Sequence, residues 1–128
     1  MKAQVIRLAA HEPAVVDAER IAVLRQSLGP ERFPEVVSAV VSHLSERLAR
    51  IDFALQTGEL AEAERHAARV ASLGEQVGLA DLARVARDLR HILASGEDVA
   101  IAAVASRLAR LGEESLAAVM AHIDLSAL

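Results

Sequence analysis

Between residues 37 and 55, Val37, Val40, Val41, Leu44, Leu48, Ile51 and Leu55 recur at three- and four-residue spacings. A helix advancing about 100° per residue gathers all seven on one side. A strand, whose side chains alternate between faces, would scatter them. This stretch therefore requires a helix, which from Pro34 to Thr57-Gly58 runs for roughly six turns, at about 3.6 residues per turn. Its long apolar side needs cover from other elements of the chain.

The rest of the sequence supplies that cover in the same form. Asp17 is placed to cap a helix, its carboxylate accepting from the first free amides. Ile21, Leu24 and Leu28 follow at helical spacing until Gly29-Pro30 stops them. Pro34 suits the first turn of the long helix, and Thr57-Gly58 ends that helix. A third helix carries Leu60, Ala63, Ala67, Val70 and Leu73 or Gly74 on one face. The two-residue break before it implies an antiparallel pair. Gly74 and Gly78 loosen its end. A fourth helix begins near Leu79, with Leu82, Val85, Ala86, Leu89, Ile92 and Leu93 along its apolar side, and breaks at Gly96. The last helix carries Val99, Ala103, Leu108, Leu111, Val119 and Ile123, with Gly112 a candidate kink. No alternating run or Asn-Gly turn signals a strand. The expected fold is all-α: an up-down antiparallel four-helix bundle over residues 17–128, with a short additional helix at its start and an arm over residues 1–16.

Composition narrows the function. The chain has 128 residues, enough for one domain. Hydrophobic residues make up 53% and aromatics 2%, so the core is built of Leu, Val, Ile and Ala. The net charge is −4, with no basic run and no aromatic platform, which argues against nucleic-acid binding. Cysteine is absent, which removes disulfides, thiolate metal sites and cysteine nucleophiles. No window is apolar and long enough for a membrane span, and no secretory leader is visible. The expected location is the cytoplasm. No pair of histidines has metal-ligand spacing, no Gly-rich phosphate loop is present, and no cofactor is expected.

Two phrases carry a resemblance. "VVDAERIAVLRQSLGPERFPEVVSAVVSHL" looks like the opening of the histidine phosphotransfer (HPt) domain of two-component phosphorelays: a short helix, Leu-Gly, then a long helix. "ALQTGELAEAERHAARVASLGEQVGLADLARVARDL" looks like its centre, which in the family reads Gly-Asp-Leu, an alanine-rich turn, Ala-His-x-Leu-Lys-Gly, then a Leu-Gly. The likeness covers about residues 16 to 120. Laid on without gaps, with Gly58, Leu60, Val77-Gly78-Leu79 and Leu82 as anchors, it puts the family's phosphorylated histidine on Ala68. The family's lysine falls on Ala71 and its glycine on Ser72, while Val70 keeps the apolar position between. A register shifted by two residues puts the acceptor on His66, with Arg69 as its phosphate partner. That shift turns a helix by about 200° and displaces Val77-Gly78, so the gap-free register is favoured.

The resemblance implies a module that docks on response-regulator receiver domains, with a sensor histidine kinase as a second potential partner. Most of the catalytic apparatus then belongs to the partner, so the module is a substrate or scaffold more than an enzyme. Ala68 at the acceptor position implies a pseudo-phosphotransferase. The alternatives are an active carrier using His66 with Arg69, or a structural helical bundle of purely architectural likeness. The expected partner-binding face comprises Glu64, Arg65, Ala68, Arg69, Ser72 and Glu75, with His43 and Arg47 from the preceding helix. Small residues at 68, 71 and 72 give it a shallow apolar floor. His66 itself is expected on the helix surface, partly exposed at the edge of the apolar stripe. His43 is a distant substitute acceptor, His91 a helix-end residue, and His11 and His122 terminal.

Overall fold

The computed structural model describes residues 16–127. These form four helices and no strand: α1 (Ala18–Gln56), α2 (Leu60–Gln76), α3 (Ala80–Leu93) and α4 (Asp98–Ala127). Of the expected arm, residues 1–15, His11 included, lie outside the described residues; Val16 packs against the core.

α1 begins as its sequence indicates. The Asp17 carboxylate accepts from the amides of Glu19 (3.0 Å) and Arg20 (3.2 Å), filling two of the donors left open at a helix start. At Gly29 the backbone leaves helical geometry (φ 85°, ψ 166°), and the chain resumes its helix at once. Gly29-Pro30 is therefore a bend joining the short opening segment to the long one. Glycine tolerates the positive φ, and the fixed φ of proline suits a fresh helical start. The Arg25 guanidinium lies 4.9 Å from the centroid of the Phe33 ring, bracing the two sides of the bend.

Three tight turns then fold the rods onto one another. Thr57 hydroxyl donates to the Phe53 carbonyl at 3.0 Å, and Gly58 (φ 75°) turns the chain into α2. Gly78 (φ 78°) turns it from α2 into α3, and here the space is tight as well. A Cβ at Gly78 would sit 3.0 Å from the Asp17 carbonyl oxygen. The Asp17 amide donates to the Gly78 carbonyl at 2.8 Å, and Arg20 Nε to the Gln76 carbonyl at 3.2 Å. The start of α1 is thus pinned to the α2–α3 turn. Gly96 (φ 70°) makes the last turn.

α1 packs on α2, α2 on α3, α3 on α4, and α4 returns to α1. The closed ring surrounds one core. α1 contributes Phe33, Val37, Leu44 and Ile51; α2 contributes Ala63, Ala67 and Val70; α3 contributes Leu82, Val85, Ala86 and Leu89; α4 contributes Leu108, Leu111 and Val119. Glycine lets the helices approach closely at two places. At Gly74 an added Cβ would lie 3.3 Å from the Leu79 carbonyl, so α2 and its following turn close without a side chain between them. At Gly112 it would lie 2.8 Å from Leu48 Cδ1. Gly112 is a notch for Leu48 inside a continuous α4, not the kink expected from sequence.

Three assignments to the core are corrected. Val99 is 86% exposed, and Ala103 is exposed. Both stand two residues from the buried Ile101, about 200° round the helix from it. The inward stripe of α4 runs instead through Ile101, Leu108, Gly112, Ser115, Val119 and Ile123. Leu60, the first residue of α2, is 39% exposed. Among the described residues no helix is long and apolar enough to cross a membrane.

A candidate docking face on the second helix

The phase of α2 fixes what it offers to a partner. Ala63, His66, Ala67, Val70, Ala71, Leu73 and Gly74 are buried. Glu64, Arg65, Arg69, Ser72 and Glu75 are exposed, and Ala68 is half-buried. At about 100° per residue, Ala68 and Ser72 lie between two charged edges. One edge carries Glu64 and Glu75; the other carries Arg65 and Arg69, with His66 beyond it.

His66 departs from the surface position expected of it: it is only 8% exposed. The flank of α2 beyond the apolar stripe is covered by α1, and the ring fits into the seam. Arg47 Nη1 lies 3.0 Å from His66 Nδ1, and Glu62 Oε2 lies 3.6 Å from Nε2. A guanidinium only donates, so Nδ1 accepts and the ring is neutral with its hydrogen on Nε2, the side of Glu62. Burial pushes the imidazole pKa below its usual 6.5, and the Arg47 charge pushes the same way. Glu62 opposes them, while Arg50 and Arg65 add to the depression.

The other edge meets α3. Glu64 pairs with Arg90 at 3.3 Å, and Glu75 pairs with Arg87. These two arginines were not singled out from the sequence. Their only signal is a pair of cations three residues apart on the polar side of the helix that follows the two carboxylates. The preceding helix contributes less than expected. Arg47 is turned into the seam toward His66, and His43 is exposed with no hydrogen bond to α2. Arg65 pairs with Glu62. Arg69 has no ion-pair partner among the described residues, which leaves an exposed cation beside Ala68, about 100° round the helix from it. Ala71 is 5% exposed and lies beneath the face, so the open floor consists of Ala68 and Ser72.

Toward the start of α2 this face runs into an open groove of about 280 Å³ between Leu60, Ala61 and Glu64 on one side and Arg90, Leu93 and Ala94 on the other. His91 is exposed and His122 half-buried. Among the described residues no cluster of three histidines or carboxylates is arranged to hold a metal ion. The arrangement has the makings of a protein-docking surface: small residues flanked by charge, on rigid helices, with one free arginine. It gathers no nucleophile, base and acceptor pocket of the kind a hydrolytic centre needs.

No family model, curated protein or solved structure matches the chain.

Proposed function

We propose that the chain is an HPt-like signalling module that docks on response-regulator receiver domains and carries no phosphoryl group at the usual position. In this reading the four helices run up and down, and α2 presents Ala68 where the family presents its histidine. One observation carries the proposal. The histidine nearest that position, His66, is buried with Nδ1 bonded to Arg47, while Ala68 faces outward between charged edges. A phospho-accepting imidazole has to stand clear for an aspartyl phosphate to reach it. Using His66 as carrier requires the ring to leave both Arg47 and Glu62, and Arg69 to turn toward it. A methyl group at 68 has no lone pair and takes no part in transfer.

The docking face is Glu64, Arg65, Ala68, Arg69, Ser72 and Glu75, widened by Arg87 and Arg90 of α3. It is modest in area and suited to transient association. The chain then competes for, or scaffolds, receivers instead of relaying phosphate. The test pairs the purified chain with phosphorylated receiver domains from the same cell. Association without acid-labile phosphate on the chain is the expected result. Phosphohistidine on the chain overturns the silent reading, and His66→Gln tells whether His66 carries it. Failure to associate with any receiver leaves a helical bundle whose likeness to the family is architectural alone.

A further inference from the structure

The Arg47–His66 contact joins α1 to α2, and it joins a permanent cation to an imidazole, a group that becomes a cation when it binds a proton. The guanidinium offers hydrogens only, so the bond exists only while Nδ1 keeps its lone pair. The ring has little water around it to solvate a charge. The charged groups acting on it come from both helices of the seam: Arg47 and Arg50 from α1, Glu62 and Arg65 from α2. None comes from α3 or α4. Arg50 is paired with Glu46 at 3.2 Å, and Arg65 shares Glu62 with the ring. A protonated His66 would therefore face three arginines and one carboxylate already in use.

We propose that His66 is a proton-operated latch on the seam between α1 and α2. Neutral, it accepts from Arg47 and holds the helices together at mid-length. When a proton binds Nδ1, both ring nitrogens carry hydrogens and the Arg47 bond is replaced by contact between like charges. The imidazolium turns toward Glu62 and water, Arg47 is returned to the surface, and the seam opens locally. The latch does not depend on the docking reading, since both of its states are defined within the bundle.

Nitrogen NMR of the ring, recorded together with backbone amide exchange between about pH 8 and about pH 5, tests this on the full chain. At the alkaline end Nδ1 carries no hydrogen and Nε2 carries one. On acidification, seam amides near Arg47 and His66 become about tenfold more open for each pH unit between the ring's opened-state and closed-state pKa values. His66→Gln, which keeps an acceptor but takes no proton, abolishes that dependence. A hydrogen on Nδ1 at the alkaline end overturns the latch. So does a ring that titrates at the ordinary imidazole value of about 6.5 while seam opening, taken from exchange corrected for its intrinsic pH dependence, stays constant. The wild-type ring signals decide the matter even if the variant does not fold.

Discussion

At the scale of single residues, His66 has the clearest consequences. Its pKa is held below the usual value by burial and by Arg47, whereas in the unfolded chain it returns to about 6.5. Below that pH the unfolded state binds a proton that the native state resists. Stability from this group is therefore complete above about pH 6.5 and falls as pH drops toward the native pKa, by at most about 1.4 kcal/mol per unit. Denaturant midpoints measured from pH 8 to pH 5 should show this loss in the wild type and a flatter profile in His66→Gln; equal slopes would contradict it. Helical arithmetic placed residue 66 at the edge of the apolar stripe, as found. It gave no warning of burial, because that depends on α1 covering the flank and on an arginine 19 positions earlier. Position 68 on the outward side was legible from phase alone.

At the scale of elements, the turns carry the strongest expectations. Gly58 and Gly78 share a positive φ but differ in their surroundings: nothing lies near a Cβ at Gly58, whereas the Asp17 backbone lies 3.0 Å from one at Gly78. Gly58→Ala should cost about 1 kcal/mol, the strain of a left-handed residue. Gly78→Ala should cost about 2 kcal/mol or more, because it also pushes the α1 start off the turn. Equal losses in thermal or denaturant unfolding would mean that α1 is not pinned there. Asp17→Ala removes two cap bonds and should cost about 1 kcal/mol. Caps and glycine stops were readable because they act locally. Gly112 was misread because an isolated glycine in a helix signals either a kink or a close neighbour, and only Leu48 distinguishes them. Val99 and Ala103 were assigned to the core because a helix rich in Ala, Val and Leu has more than one plausible stripe. The inward one is set by where α1 and α3 lie.

At the scale of the whole molecule, the ring of helices around a core poor in aromatics makes stability depend on well-fitted aliphatic side chains. Leu44 is fully buried in the middle of α1, and Leu44→Ala should cost about 2–5 kcal/mol in denaturant unfolding. A loss well below that would mean the ring is looser than its packing implies. The all-helical class was readable from periodicity because every helix carries its own stripe. Which helices meet was less so, and the cross-links Glu64–Arg90 and Glu75–Arg87 of the candidate face emerge only when α2 and α3 lie side by side. The central claim is that α2 offers a receiver the right surface with an inert methyl at its centre. The most direct measurement is phosphoryl transfer from a phosphorylated receiver to three versions of the chain: wild type, His66→Gln and Ala68→His. The account predicts acid-labile phosphate on Ala68→His alone. Label on the wild type that vanishes in His66→Gln, or an Ala68→His chain that binds the receiver and stays unlabelled, would contradict it.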